Sequence, residues 1–209
     1  MATLSPDTRP QVWVVAGPNG AGKSTLVACQ LAGRMPIINP DDIAFALARR
    51  SDGTLDELLA GREALRERER MLDAGRSFTV ETTMSGNNPL RFMREATQRG
   101  FNLTLVYVGI ASAALSLQRV RDRVAAGGHD VPVAAVMRRY PDTMSKLATA
   151  LGLVDRVYII DNSGTQRRLL IKIENGHAIS MADDLPKWAV GAVPAKYQKL
   201  YADISVAGA

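Results

Sequence analysis

A glycine-rich segment, residues 17–25, constrains the fold of this chain more than any other part of its sequence. It reads Gly17-Pro18-Asn19-Gly20-Ala21-Gly22-Lys23-Ser24-Thr25 and follows the apolar run Gln11–Ala16, which is typical of a strand buried on both faces of a parallel sheet. Residues 24–31 are predicted to be helical. The spacing Gly-x4-Gly-Lys-Ser between a strand and a helix surrounds nucleotide phosphates with backbone N–H groups, extends Lys23 towards them and offers the Ser24 hydroxyl to Mg²⁺. The segment therefore predicts a binding site for ATP and Mg²⁺.

Short apolar runs alternate with helical segments along most of the remaining chain. Four further runs are predicted to be strands, at residues 36–38, 77–80, 103–108 and 157–160. Alternation of strands and helices builds parallel sheets through right-handed crossovers. We therefore predict the α/β class, as a three-layer sandwich with a mostly parallel five-stranded sheet.

Two additions to this sheet are predicted. Asn175-Gly176 lies between the apolar runs 169–174 and 177–182, and Asn-Gly is the strongest two-residue signal for a β-hairpin. A helical segment at about 112–140 is interrupted by Gly127-Gly128, which predicts a lid. The expected organisation is one domain over residues 1–209, with the hairpin and a tail from about 168 to 209.

Composition excludes several classes of protein. Apolar residues make up 46% and charged residues 22% of the 209 residues, which is typical of a globular protein. The sequence has neither an 18-residue apolar run nor a signal-peptide pattern, so we expect a cytoplasmic protein without a membrane span. The single cysteine, Cys29, excludes an internal disulfide, and we expect it to be buried as a small apolar side chain.

The charge of the chain favours an anionic partner. The net charge is +5, with 20 Arg against 6 Lys, and the guanidinium group binds phosphate oxygens in a bidentate geometry. A GC-rich genome explains an arginine excess equally well, so only the position of each arginine is informative.

Carboxylates follow two of the predicted strands. Asp41 lies just after the second strand, at the carboxyl edge of the sheet where ligands bind, and is predicted to accept the proton of an attacking hydroxyl or to hold waters of Mg²⁺. Asp42 is predicted to cap the next helix, and capping is also the alternative for Asp41. Glu81, Thr82 and Thr83 end the third strand and are predicted to bind oxygens of a second substrate. As an alternative, Glu81 contacts groups that are themselves bound to Mg²⁺.

Basic residues cluster in the predicted lid. Arg119 and Arg123 are one helical turn apart and are predicted to close on phosphate, against the alternative of a solvated basic helix. His129 follows the Gly-Gly break, which is either a hinge or an ordinary loop. Arg138 and Arg139 are further candidates for substrate binding, and we expect at most one of them to point inward because adjacent helical residues diverge by roughly 100°. A turn after the fifth strand, residues 161–163, lies near where such folds bind adenine.

These segments together resemble the zeta-toxin-like kinases over about residues 11–163. The resemblance rests on the glycine-rich loop and on four further motifs: residues 38–44, Glu81-Thr82-Thr83, Arg119-x3-Arg123, and residues 127–132 with 138–140. It implies a P-loop kinase that phosphorylates a sugar hydroxyl of UDP-N-acetylglucosamine and is held in check by a small antitoxin. By the same resemblance, Lys23 and Ser24 look like the nucleotide and metal residues, Asp41 like the general base, Glu81 and Thr82 like acceptor contacts, and Arg119 and Arg123 like lid arginines.

Other functions remain open at this point. The same scaffold serves kinases of other metabolites or antibiotics, because a fold does not determine an acceptor. A nucleic-acid-linked ATPase or end kinase is disfavoured, since only 5% of the residues are aromatic and no aromatic-basic stripe is present for stacking bases. A nucleotide-binding module without turnover is the last alternative. A transporter-type ATPase is excluded because the sequence contains no Leu-Ser-Gly-Gly signature.

Overall fold

The computed structural model describes residues 8–48 and 57–200, and these form one seven-stranded sheet with helices packed against it. The strands are β1 Gln11–Ala16, β2 Ile37–Ile38, β3 Phe78–Thr82, β4 Asn102–Gly109, β5 Arg156–Asp161, β6 Arg168–Glu174 and β7 His177–Met181. The helices are α1 Lys23–Gln30, α2 Pro40–Ala48, α3 Glu57–Asp73, α4 Asn88–Gln98, α5 Ala113–Ala125, α6 Val133–Leu151 and α7 Lys187–Ala192, followed by a 3₁₀ turn at Ala195–Tyr197.

The strand order is β2-β3-β1-β4-β5-β6-β7. The first five strands in this order are parallel, and the last two join them in antiparallel fashion. Ala16 at the end of β1 is in register with Thr82 of β3 and Tyr107 of β4, so the carboxyl ends of these strands lie side by side. This edge carries the glycine-rich loop on β1 and the Glu81-Thr82-Thr83 segment on β3.

Both faces of the sheet are covered, as a three-layer sandwich requires. Val14 packs into a large core formed with α3, α4, α6 and α7, whereas its neighbour Val15 packs into a smaller core formed with α1. Successive side chains of a strand point to opposite faces, so an unbroken apolar run is what a strand between two helical layers needs. β4 satisfies this requirement most fully, since all eight of its residues are buried.

The predicted fold class is confirmed, with one extension. The hairpin at Asn175-Gly176 forms as predicted, with φ of 50° and 78° at these two residues, which a type I′ turn requires. Strand β6 hydrogen-bonds to β5 and β7 hydrogen-bonds to β6, so the sheet has seven strands instead of five. The predicted tail beyond Leu200 lies outside the described residues, and the single-domain organisation stays a prediction.

Two local predictions were wrong. Cys29 is exposed, because it lies on the side of α1 away from the sheet while Leu26 and Val27 face the core. The side chain that caps α2 belongs to Asn39 and not to Asp42: Asn39 Oδ1 accepts a hydrogen bond from the backbone N–H of Asp41 at 3.0 Å. Asn39 precedes the helix and can reach back to its first turn, whereas Asp42 is already inside it.

Among residues 8–48 and 57–200, no helix combines the length and the apolar character that crossing a membrane demands.

Candidate active site

A cavity of about 690 Å³ opens at the carboxyl edge of the sheet. Its lining brings together most of the residues that the sequence singled out: Asn19, Gly20, Gly22, Lys23, Ser24, Thr25, Asp41, Glu81, Thr82, Thr83, Arg119, Arg123, His129, Arg138 and Arg139. The remaining lining residues were not predicted, and they are Asn39, Pro40, Ala44, Ala60, Val131, Pro132 and Ala135. One continuous space therefore contacts the glycine-rich loop, the first turn of α2, the end of β3, α5 and α6.

The glycine-rich loop has the backbone that a phosphate cradle needs. Gly17, Gly20 and Gly22 have φ of 144°, 68° and 86°, in the region that L side chains rarely adopt. A Cβ on Gly17 would also overlap the carbonyl oxygen of Val108 on β4. The first N–H groups of α1, which begins at Lys23, have no intrahelical acceptors and are directed at the loop. This arrangement fits the phosphates of a nucleotide, which bind N–H groups at a helix N-terminus.

Lys23 is buried at the base of the cavity. Its Nζ donates to the carbonyl oxygen of Pro18 at 3.0 Å. Burial lowers the pKa of Lys23; the negative charges of Glu81 and Asp41 oppose this shift, whereas Arg123 and Arg139 add to it. The cavity thus concentrates two carboxylates and three cationic side chains around the position where phosphates would lie.

Ser24 and Glu81 are joined by a direct hydrogen bond. Ser24 Oγ donates to Glu81 Oε1 at 2.7 Å, and Asn39 Nδ2 donates to Glu81 Oε2 at 3.3 Å. Burial raises the pKa of Glu81, and the charge of Lys23 partly offsets that rise. Because the Ser24 hydroxyl is the predicted Mg²⁺ ligand, the contact supports the alternative in which Glu81 serves the metal side of the site. Hydroxyl and carboxylate oxygens are the ligand type that Mg²⁺ prefers, so this group of residues fits the ion.

The two lid arginines differ in their partners. Arg119 donates to three backbone carbonyls of the loop after β5: those of Asn162 at 2.6 Å, Ser163 at 3.3 Å and Gly164 at 3.2 Å. Arg123 lines the same cavity, and its Nε and Nη2 are buried without a hydrogen-bond partner. Buried N–H groups that lack acceptors are costly for the fold, which makes Arg123 the stronger candidate for binding a phosphate.

The Gly127-Gly128 break ends α5 and accommodates Arg123. The Gly128 N–H donates to the carbonyl of Arg123 at 2.9 Å, and Gly127 has a φ of 83°, as at a glycine-terminated helix end. A Cβ on Gly128 would lie 2.6 Å from Cγ of Arg123. Gly128 therefore provides space for the arginine side chain, a role that neither sequence alternative, hinge or ordinary loop, included.

This packing predicts the effect of Gly128→Ala. The added methyl group would displace the Arg123 side chain, so we expect the phosphoryl-transfer rate to fall about tenfold or more if the guanidinium contacts phosphate. The φ of Gly128 lies outside the left-handed region, and besides the Arg123 side chain the added Cβ would lie 3.0 Å from the carbonyl oxygen of Arg123. Steady-state kinetics of product formation checks the prediction, with Gly152→Ala after α6 as the matched control, because its Cβ would meet only the Thr149 carbonyl at an ordinary 3.6 Å. A Gly128→Ala enzyme with the wild-type rate would contradict it.

Thr82 and Thr83, at the end of β3, form another part of the cavity wall. Thr82 Oγ1 accepts from the Met84 N–H at 3.0 Å, and Thr143 Oγ1 of α6 donates to the Thr83 carbonyl at 2.5 Å. Met84 is fully buried with a φ of 55°, which is rare for a residue with a side chain. These contacts hold Thr82 and Thr83 against the cavity. Thr143 was missed in the sequence, because nothing near it marks a partner 60 residues away.

The remaining predicted residues lie around the mouth. Arg138 and Arg139 both line the cavity, although we expected one at most. They act on different neighbours: Arg139 lowers the pKa of Lys23, whereas Arg138 helps to lower the pKa of Asp142 at the outer side, after the larger effects of Lys146 and the Gly86 N–H. His129 packs edge-on against Phe45 of α2, with ring centroids 5.9 Å apart.

A parallel sheet, a glycine-rich loop between β1 and α1, and a cavity at the carboxyl edge define an α/β fold of the P-loop kinase type. Residues 12–145 match the protein family AAA_33, described as AAA domain. The match covers more than half of the chain, so the chain belongs to this family. It is also 32% identical over 139 residues to an uncharacterized protein of Haemophilus influenzae, covering 63% of this chain and 99% of that protein.

Solved structures share the fold. A chain of the AvrRxo1-ORF1:-ORF2 complex with ATP superposes with a TM-score of 0.68 at 15% identity, covering 85% of this chain and 62% of that chain. The present chain thus spans about three fifths of the length of that relative. A chain from the PezAT chromosomal toxin–antitoxin system of Streptococcus pneumoniae gives a TM-score of 0.57 at 18% identity, covering 80% and 73%. At these identities the likeness concerns the fold alone.

Proposed function

We propose that this protein is an ATP-dependent kinase that transfers the γ-phosphoryl group to a hydroxyl of a nucleotide sugar, with UDP-N-acetylglucosamine as the favoured acceptor. The observation that carries the proposal is the shared cavity, in which Asp41 and the unpartnered Arg123 lie on the same space as the glycine-rich loop. A carboxylate that can accept a proton and a guanidinium that can stabilise the transferring phosphoryl group are both groups that phosphoryl transfer uses.

The residues divide into a nucleotide side and an acceptor side. Residues 17–25 would hold the ATP phosphates, with the Lys23 ammonium against their oxygens and the Ser24 hydroxyl on Mg²⁺. Glu81, hydrogen-bonded to Ser24, would orient that hydroxyl. Mg²⁺ supplies charge neutralisation of the phosphates when it is bound. Arg123 and Arg139, whose charges reach Lys23, would stabilise the negative charge of the γ-phosphoryl group during transfer.

Asp41 would act as the general base. Its carboxylate lies in the first turn of α2, is exposed to the cavity and is close enough to Lys23 for its charge to oppose the lowering of the Lys23 pKa by burial. It would accept the proton of the acceptor hydroxyl as the hydroxyl oxygen bonds to the γ-phosphorus and the bond from that phosphorus to the bridging oxygen breaks, leaving ADP. Thr82, Thr83, His129 and Arg138 would contact the acceptor.

The choice of acceptor and partner rests on resemblance. The motifs shared with the zeta-toxin-like kinases favour a nucleotide sugar, and the cationic residues of α6 suit its diphosphate. The structural likeness to a chain of a toxin–antitoxin system and to one of a two-protein complex supports a small antitoxin as a partner. We propose that the protein acts in the cytoplasm, where nucleotide sugars are made, and that nucleic acid is not its substrate.

A product assay tests the proposal. The purified protein is incubated with ATP, Mg²⁺ and separate candidate acceptors (nucleotide sugars, free sugars and short oligonucleotides), and mass spectrometry detects an added phosphate. We expect phosphorylated UDP-N-acetylglucosamine. A phosphorylated product of another small alcohol would support the kinase activity with a different acceptor. A phosphorylated oligonucleotide as the only product would indicate an end kinase instead. Formation of ADP without any phosphorylated acceptor would indicate an NTPase.

A further inference from the structure

We propose that Trp188 of α7 is a positioning residue for nucleotide binding, acting through the loop of residues 161–164 that follows β5. This inference rests on the ATP site of the proposed function but not on the identity of the acceptor. It concerns a part of the chain beyond residues 12–145, over which the family match extends. Three sets of contacts, described in turn, connect the indole of Trp188 to the glycine-rich loop.

The first set joins the 161–164 loop to the glycine-rich loop. Asn162 Nδ2 donates to the carbonyl oxygen of Ala21 at 2.8 Å, and the backbone N–H of Asn162 donates to the Gly109 carbonyl at 2.9 Å. A Cβ on Gly22 would lie 2.6 Å from Asn162 Nδ2. The amide of Asn162 therefore packs directly against the turn that precedes Lys23, and a shift of Asn162 would move the N–H groups that are to bind phosphate.

The second set holds the 161–164 loop from the side of α5. The guanidinium of Arg119 donates to the carbonyls of residues 162, 163 and 164. One turn earlier on the same helix, Ser116 Oγ donates to the carbonyl oxygen of Asn19 at 2.6 Å. Helix α5 thus holds the glycine-rich loop and the 161–164 loop in place relative to each other. Arg119 contributes to this contact in addition to lining the cavity.

The third set holds the loop from the side of α7. Trp188 Nε1 donates to Asp161 Oδ1 at 2.9 Å, and the same oxygen accepts from the N–H and the hydroxyl of Ser163. The indole ring fills the space beside Gly109 that a Cβ would need, and only 9% of Trp188 is exposed. Removing the indole N–H would leave the Asp161 carboxylate with one donor residue and loosen the turn that carries Asn162.

The test compares two tryptophan variants in ATP binding without an acceptor. Trp188→Phe keeps an aromatic ring but loses the N–H donor; Trp13→Phe loses the equivalent donor to Gln11 Oε1 on β1, away from the cavity. Isothermal titration calorimetry with ATP and Mg²⁺ should give a Kd about 3- to 10-fold higher for Trp188→Phe and a Kd within about twofold of wild type for Trp13→Phe. An unchanged Kd in Trp188→Phe would overturn the proposal.

A double variant distinguishes positioning from a general loss of stability. If Trp188 acts through Asn162, Asn162→Ala alone should weaken ATP binding, and adding Trp188→Phe should weaken it by less than about twofold more. If the increase in Kd of the double variant equals the product of the increases in the two single variants, the proposal is overturned. A Trp188→Phe protein that melts at a lower temperature but binds ATP with the wild-type Kd below its melting range would also overturn it.

One further measurement leaves Trp188 intact. In the Trp13→Phe protein the fluorescence comes from Trp188, and ATP should change its emission as the loops settle around the phosphates; no change at saturating ATP would count against the proposal. None of these measurements requires a phosphorylated product. If the acceptor assay fails while Trp188→Phe weakens ATP binding, the kinase proposal falls and this one stands; the converse result overturns this one alone.

Discussion

Replacing Asp41 by asparagine should lower phosphoryl transfer by about two to four orders of magnitude while ATP affinity changes by less than about threefold. The carboxylate is exposed to the cavity, so its amide isostere fits without repacking. What the amide lacks is the basicity to take the proton of the acceptor hydroxyl. The glycine-rich loop, Lys23 and Ser24 are untouched by the change. Single-turnover kinetics with the acceptor, together with an ATP titration, measures the two quantities separately.

The neighbouring Asp42 provides a matched control. It lies in the same first turn of α2, so Asp42→Asn removes the same favourable charge from the helix N-terminus, a loss of about 0.3–1 kcal/mol. Asp42 does not line the cavity, and burial raises its pKa. We expect the transfer rate of Asp42→Asn to stay within a few-fold of wild type. Equal losses in the two variants would assign the effect to the helix and not to a base at Asp41.

The fold was largely predictable because its signals are local. The apolar run of β1 was predicted with its observed bounds, Gln11–Ala16, since a strand between two helical layers must be apolar on both faces. Asn175-Gly176 marked the hairpin because few other residue pairs adopt positive φ. The pairing of β6 with β5 was not predictable, because nothing in either strand specifies which free edge the hairpin will join.

The residues that line the candidate site were largely predictable from the sequence, but the hydrogen bonds between them were not. The residues that line the cavity come from the carboxyl end of β3, from loops and from helices α1, α2, α3, α5 and α6. A parallel topology brings the loops after its strands together at one edge of the sheet. Asn39 belongs to the motif at residues 38–44 but was not predicted as a site residue, because the Glu81 side chain that it binds is 42 residues away in sequence. Arg119 and Arg123 look equivalent in sequence, yet one donates to loop carbonyls and the other has no acceptor. Only tertiary structure distinguishes them.

Replacing Lys23 by methionine should have the opposite effects on activity and on stability. The variant loses the ammonium that would bind phosphate oxygens, so phosphoryl transfer should fall by about two to four orders of magnitude and ATP binding should weaken as well. Burial lowers the pKa of Lys23, so the protonated side chain is held in the fold at a cost in free energy. Methionine fills a similar volume without a charge. In the absence of nucleotide the free energy of unfolding at neutral pH should therefore rise.

The pH dependence of this gain follows from the direction of the pKa shift. The ordinary pKa of a lysine is 10.5 and that of Lys23 in the fold is lower, so between these two values the unfolded chain binds more protons than the folded one. The loss of the Lys23 proton therefore raises the free energy of unfolding of the wild type as the pH rises through this window. Lys23→Met has no such proton and shows no such rise. The stability gap between variant and wild type should be widest below the pKa of Lys23 in the fold and should narrow as the pH rises towards 10.5.

Denaturant unfolding of both proteins across this pH range tests the prediction. Lys172→Met is the control, because Lys172 forms a partly exposed ion pair with Glu174 that raises its pKa, and its loss should cost up to about 1 kcal/mol without affecting activity. A Lys23→Met protein that is less stable than wild type at neutral pH would mean that the bond to Pro18 and the nearby carboxylates outweigh the cost of burial. A variant that is more stable but inactive would show that Lys23 lowers the stability of the fold and is needed for activity. This is expected of a residue whose partner is the phosphate of a bound nucleotide.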